Sequence, residues 1–303
     1  MILSTEDPSW CTIALVARAR VEANDPDARR LASEVFLKGA GPALLRRVAT
    51  ILQPRAIPVM PVKGVLLQRL VYGEQTFRAI KDVDVLVPED RFSEACAMLR
   101  QNGFTDQRWA VGRWQVTLRN PDGYPLDVDL HRRLTRTSRA GLTAAGMFER
   151  AKVDESLFGV PVVVPCHEDI FAHLLLHAAL HWINRGTLHR PEDFEAVGRA
   201  LALDPDRCVS HLARHGLLAH ARLVLPFVDA STGGTFVRSL LHSLPSQPRA
   251  RASAWLVRSL TARYPRPGSV ARRFAGMILA PSISSAITSA IRDRIARAAS
   301  PSA

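Results

Sequence analysis

Acidic residues are nearly missing from the last fifth of this chain. Between Ser246 and Ala303 stand ten arginines (Arg249, Arg251, Arg258, Arg263, Arg266, Arg272, Arg273, Arg292, Arg294 and Arg297) and one acid, Asp293, so nine of the net twelve positive charges lie there. A basic partner-binding surface, if the chain has one, is expected at that end. Lysine is scarce too, found only at Lys38, Lys63, Lys81 and Lys152. Arginine in its place can reflect genome composition and carries no functional weight. Paired cysteines are missing: Cys11, Cys96, Cys166 and Cys208 are far apart. That excludes the paired-cysteine spacings of zinc and dithiol redox motifs and fits reduced thiols in a cytoplasm. The first residues lack the basic and apolar regions of a secretory leader, and no apolar run approaches the roughly 18 residues of a membrane span. The expectation is a soluble, cytoplasmic protein.

What is present is enough apolar residue, 47% of 303, to bury a substantial core in two domains. The stretch that organises the rest is Lys81-Asp82-Val83-Asp84-Val85-Leu86-Val87. As a strand it turns Asp82, Asp84 and Leu86 to one face and Val83, Val85 and Val87 to the other. The two carboxylates are roughly 6.6 Å apart along the backbone and can approach to about 4 Å, where they repel by roughly 4 kcal/mol at an effective dielectric of 20. Such a pair calls for a cation or a shared proton. Hard oxygen ligands on one face suit Mg²⁺, which leaves its remaining positions to phosphate and water. A solvated edge strand is the plain alternative for this stretch alone. A second stretch weighs against that: Leu126-Asp127-Val128-Asp129-Leu130-His131 has the same period of two, with Asp127, Asp129 and His131 on one face. Two half-acidic strands suggest a sheet whose polar face is a metal-phosphate site.

Around these strands the chain reads in four parts. Residues 1–54 are a helical segment with a start signal at Asp25-Pro26-Asp27 and a break into two helices at Gly39-Ala40-Gly41-Pro42, read as a turn. Residues 55–140 form the α/β core. There Ile57–Met60 is a strand, and Lys63-Gly64 leads into a helix over Val65–Tyr72, whose first N–H groups and dipole make an anion site beside the Lys63 charge. Pro88-Glu89-Asp90 opens the next helix and Asn102-Gly103 ends it. Strands are expected at 104–109, 114–118 and 125–131, with a turn at Asn120-Pro121-Asp122-Gly123. Residues 141–245 are a mainly helical domain, with one more strand over Val160–Val164. In that domain His173, His177 and His181 recur every four residues along one face; a packed or cleft-lining stripe is the expectation, with transition-metal binding the alternative. Residues 246–303 are a basic helical region. Pro281-Ser282 starts a helix there, with Ile283, Ile287, Ile291 and Ile295 in a stripe.

With "PVKGVLLQRLVYG", "FRAIKDVDVLV", "LRQNGF" and "LDVDLHRRL" on the page, the chain resembles the bacterial uncharacterised nucleotidyltransferase family, a branch of the DNA polymerase β-like nucleotidyltransferase superfamily. The likeness covers roughly residues 30–230 and extends into "HLLLHAALH" and "RPEDFEAV". It implies an α/β (α+β) fold, a polymerase β-like domain with a mixed sheet followed by a mainly helical domain. It also implies transfer of a nucleoside monophosphate from a nucleoside triphosphate, ATP included, to an acceptor, with release of pyrophosphate and with Mg²⁺ (or Mn²⁺) as cofactor.

By matching position, the resemblance makes Asp82, Asp84 and Asp129 the catalytic and metal-holding acids, with Asp127 the alternative third acid. Lys63, Gly64 and Arg78 would bind the triphosphate. His131 would touch the acceptor, brace Asp129 or make a structural hydrogen bond. Most of the superfamily has serine after the turn glycine, whereas this chain has Val65, which leaves the phosphates to Lys63, Arg78 and backbone amides. The acceptor stays open between RNA, a protein or peptide, and a small molecule, since a fold does not settle a substrate. The competing function is a non-catalytic relative that binds nucleotide, RNA or protein through the basic C-terminal region.

Overall fold

The structure, a computed structural model, describes residues 26–73, 78, 80–107, 114–121, 126–135, 141–263, 275 and 278–279. The stripe expected from Pro281 onward, the first 25 residues and the tip of the turn after Pro121 lie outside them. The chain divides into two compact units, one of Met1–Val111, Gln115–His131 and Val153–Val163, the other of Gly112–Trp114, Arg132–Lys152 and Val164–Ala303.

The first unit is built on a five-stranded sheet. Its strands are β1 (Met60–Pro61), β2 (Asp82–Leu86), β3 (Thr105–Asp106), β4 (Gln115–Arg119) and β5 (Asp127–His131), in the spatial order β1-β2-β5-β4-β3. β2 and β5 are parallel and every other neighbouring pair is antiparallel. The period of two read in the sequence is the period of the pleat. Val83 and Val85 lie beside Val128 and Leu130, which in turn meet Leu118 and Val116. All six are buried, and each contributes roughly 1.5–3 kcal/mol by leaving water. Helix α1 (Pro26–Leu52) packs on β2 and on helix α3 (Phe92–Gln101), and Leu44, Leu45, Val48, Ala95 and Leu99 are buried.

Two local expectations are corrected here. The Gly39-Ala40-Gly41-Pro42 stretch is no turn, because α1 runs through it unbroken. Gly41 packs closely instead: a Cβ there would come within 3.1 Å of Ile80 Cδ1. The helix after Lys63 is also irregular, with an α-helical turn α2 (Gly64–Leu67) that widens into a π-helical stretch over Gln68–Tyr72. The helix opened near Pro88 is ended by Gly103 at φ 88°, a left-handed conformation that costs glycine nothing.

The second unit is helical: α4 (Ala144–Arg150), α5 (His167–Arg185), α6 (Glu192–Ala200), α7 (Pro205–Arg214), α8 (Leu218–Thr232), α9 (Thr235–Ser243) and α10 (Pro248–Arg263). A short pair, β6 (Lys152–Asp154) with β7 (Val162–Val164), precedes α5 in the chain and falls mostly in the first unit. An aromatic cluster ties α5, α6 and α9 together, with Phe171 edge-on to Phe194 at 5.7 Å and to Phe236 at 5.6 Å. The histidines of α5 pack as a stripe. His173 is buried, the His177 and His181 rings lie 6.3 Å apart, and His181 Nδ1 is 2.9 Å from the Thr187 carbonyl oxygen. No described helix is long and apolar enough to cross a membrane.

Gly198 in α6 is where this helical packing can be tested. A Cβ there would sit 2.1 Å from the Phe236 ring, so Gly198→Ala must displace the ring and with it the aromatic cluster. We expect a loss of about 2 kcal/mol, despite alanine's better helix propensity. The check is a urea denaturation series that includes Gly198→Ala with Phe236→Leu, whose smaller side chain should recover most of the loss.

Candidate active site

The in-register pairing of β2 with β5 sets Asp82 beside Asp127 and Asp84 beside Asp129; across β5, Thr117 faces Asp129 and Gln115 faces His131. One face of the sheet therefore gathers four carboxylates and an imidazole. Asp84, Asp129 and His131 each present a ligand atom within 4.8 Å of the other two. Asp84 is 4% exposed and so has left solvent almost entirely.

Its charge is met from two sides, by Lys63 Nζ donating to Oδ1 at 2.6 Å and by His131 Nε2 at 2.9 Å from the same oxygen. Burial alone would raise the Asp84 carboxyl, but the Lys63 charge and the His131 hydrogen bond outweigh it and hold the group well below the usual carboxylate range. His131 thus braces Asp84. Asp129 has its own brace, the hydroxyl of Thr117, which donates to Oδ1. Asp127 is engaged by Gln107 Nε2 and stands outside the cluster of Asp84, Asp129 and His131.

Asp82 is in the opposite electrostatic condition. Burial first, then the charges of Asp84 and Asp129, push its carboxyl up to about 7, against the pull of Lys63 and Arg78. Three carboxylates, Asp82, Asp84 and Asp129, thus stand against the two positive charges of Lys63 and Arg78. Clustered hard oxygens with that excess fit a divalent ion of the Mg²⁺ or Mn²⁺ kind.

The cations are held by unusual backbone. Lys63 precedes the first turn of α2 with φ 53° and ψ −123°, a conformation nearly closed to residues with a Cβ, and such strain costs about 1–3 kcal/mol. It places the ammonium group on Asp84. Gly64 matters for a different reason: a Cβ there would stand 3.2 Å from Arg78 Nη1, a tight contact that the missing side chain spares the guanidinium. Arg78 itself is buried. Gln68 fixes the segment that leads to it, since Nε2 donates to the Gly73 carbonyl at 2.7 Å and Oε1 accepts from the Arg78 N–H at 2.7 Å.

The structure thus gathers Asp82, Asp84, Asp129, His131 and Lys63, with Gly64 and Arg78 adjoining. Gln68, Gln107 and Thr117 are additions that sequence reasoning missed. Thr117 was the most findable, since it alternates with buried Val116 and Leu118 on an expected strand. Gln68 had no signal, because its role depends on the π-helical stretch.

Among known proteins, a family profile described as uncharacterised nucleotidyltransferase matches residues 42–232. No curated protein matches the sequence. Of solved structures, that of the antibiotic-resistance factor ANT(2'')-Ia is similar at 12% identity and a TM-score of 0.43, over 58% of this chain and 91% of that one. A tRNA-processing enzyme is similar at 13% identity and a TM-score of 0.26, over 78% of this chain and 69% of that one. Neither likeness is close enough to bear on substrate.

The raised Asp82 carboxyl has a consequence for stability. A carboxyl whose folded value lies above its unfolded one makes a contribution that is fully present below about pH 4 and is lost as pH rises through about 7. In chelator, Asp82→Asn should therefore melt above the wild type at pH 8 and level with it at pH 4. Thermal unfolding at both values decides, and a pH-independent difference would count against a crowded acidic face.

Proposed function

The chain belongs to the uncharacterised nucleotidyltransferase family, and from that premise we propose that it transfers a nucleoside monophosphate from a nucleoside triphosphate to an acceptor in the cytoplasm. The acceptor's nucleophilic atom would attack the α-phosphorus while the bond to the departing pyrophosphate breaks. The observation that carries the proposal is the in-register pairing of β2 with β5, which sets Asp84 beside Asp129 with ligand atoms within 4.8 Å of each other and of His131, and Asp82 on the same face. Asp82, Asp84 and Asp129 are the residues we assign to hold Mg²⁺ or Mn²⁺, which when bound would neutralise charge on the phosphates and on the departing pyrophosphate.

The remaining work falls to the chain's own groups. Lys63 and Arg78 supply two positive charges at the start of α2, where first-turn N–H groups also point outward. With Val65 in the place of a hydroxyl residue, these are the groups available to the triphosphate. Gly64 keeps the guanidinium close to the helix start. His131 and Lys63 keep Asp84 ionised and oriented, and Thr117 fixes the rotamer of Asp129. Asp129, so held, is the acid we assign to orient the acceptor. Asp127, tied up by Gln107, is left out of the metal set. Three acids and their braces in one place favour catalysis over a purely binding role.

Incubation with each labelled nucleoside triphosphate and Mg²⁺ or Mn²⁺ tests this, following pyrophosphate and label on the protein, on RNA and on small molecules. Wild type should release pyrophosphate, and Asp84→Asn or Asp129→Asn should lower the rate by roughly two orders of magnitude or more. Asp127→Asn should lower it far less. Lys63→Ala and Arg78→Ala should weaken binding of all four nucleotides to a similar extent, because charge-assisted phosphate contacts do not read the base. Full activity in Asp84→Asn would refute the assignment.

A further inference from the structure

Two of the three large apolar side chains that stand exposed among the described residues are neighbours on α10, Trp255 at 64% and Leu256 at 39%. The helix has an inner side, where Ala250, Ala254, Val257 and Thr261 are buried and α10 packs on α8. Trp255 stands away from it. Arg251 and Arg258, four residues before the indole and three after, are its neighbours along the helix surface.

These arginines have little to hold. No acid stands between Ser246 and Arg263. Arg251 makes one long side-chain hydrogen bond, from Nη1 to Ser246 Oγ at 3.5 Å, and Arg258 pairs with no acid among the described residues. A third guanidinium comes from α8. Arg222 Nη2 donates to the Leu244 carbonyl at 3.3 Å and to that of Pro245, just before α10 begins. Burial first, and the charge of Arg251 second, pull Arg222 below its ordinary value, with no carboxylate among the charges that act on it. Two guanidiniums brought together in this way repel each other, and an anion set against both offsets that repulsion.

We propose that this face of α10 binds single-stranded RNA, with a base stacked on Trp255 and backbone phosphates on Arg222, Arg251 and Arg258. A flat aromatic surface with cations on either side of it along the helix matches the alternation of base and phosphate along such a strand, since every base has a π-face. Duplex keeps its base faces stacked inside, whereas the loops, bulges and ends of RNA display theirs. A bilayer surface fits less well, because two apolar side chains on one turn make a much smaller apolar face than an interfacial helix buries. The chain's own stripe from Pro281 onward carries Arg292, Arg294 and Arg297, so laying it here would add positive charge to a positive face. An acidic peptide would satisfy the arginines but leave the indole without a stacking partner. The proposal stands independently of the transferase reading.

The test uses the full chain without nucleoside triphosphate and follows the fluorescence anisotropy of a short labelled oligouridylate. The wild type should bind it, with log affinity falling against log salt at a slope of about −2 for three phosphate contacts. Trp255→Ala should weaken binding roughly tenfold while Trp255→Phe keeps most of it. Arg258→Ala should reduce the slope by about 0.7. Duplex RNA of the same length and polyglutamate should both bind more weakly than the single strand. Asp84→Asn, altered only at the sheet face, should bind as the wild type does, which separates this proposal from the transferase reading. Unchanged affinity in Trp255→Ala, or duplex or polyglutamate bound as tightly as the single strand, would overturn the proposal in favour of a merely basic surface. Tighter binding of oligodeoxyuridylate would overturn the assignment to RNA. Loss of binding in Asp84→Asn would place the strand on the sheet face instead. Trp255-dependent binding to phosphatidylglycerol vesicles without binding to the oligonucleotide would make this a membrane face, and a lower melting temperature in Trp255→Ala with unchanged affinity would mean that the chain itself covers the indole.

Discussion

The parallel, in-register pairing of β2 with β5 is the constraint on which the first unit depends. A strand has a period of two, so a slip of one residue between these strands would turn Asp127 and Asp129 to the apolar face and Val128 and Leu130 to the polar one. The apolar partners Val83, Val85, Val128 and Leu130 are all fully buried, and exposing them while burying carboxylates without partners would cost far more than the pairing gains. Apolar packing on one side thus fixes the register that crowds acids on the other. The site is a by-product of the core's specificity.

Crowding of that kind has to be managed, and the surrounding residues manage it unequally. Asp84 receives a lysine and a histidine and stays ionised; Asp129 receives a hydroxyl; Asp127 receives an amide; Asp82, buried beside Asp84 and Asp129, rises to about 7 against the pull of Lys63 and Arg78. Lys63 meets Asp84 only because its backbone adopts a conformation that L-residues avoid. Strain stored at a charged turn of this kind persists where the surrounding packing over-determines it, and here Gly64, Arg78 and the Gln68 hydrogen bonds do so.

The helical unit solves its polar problem differently. Asp169 is buried as deeply as any acid in the chain but is fully paired, and burial, which alone would raise its carboxyl, is outweighed by His211 and Arg150, so the group is held below its ordinary value. The aromatic cluster of Phe171, Phe194 and Phe236 closes over Gly198 with no space to spare. Both features draw on residues from three different helices, so neither is visible within any one segment.

By itself the sequence determined what local periodicity and charge can determine. The two half-acidic strands, the helix closed at Gly103, the Lys63-Gly64 turn before a helix and the histidine stripe of α5 were legible because each depends on neighbours within a few residues. Tertiary structure decided the rest. Gly41 was misread as part of a turn, since the reason for a glycine there is Ile80, a partner thirty-nine positions away. Gln107 on Asp127, Thr117 on Asp129 and His131 on Asp84 are likewise contacts between segments well separated along the chain. Periodicity says which face a side chain is on; only the pairing of strands and the packing of helices says which groups share that face, and charges act on whatever lies within a few ångströms, whatever its distance along the chain.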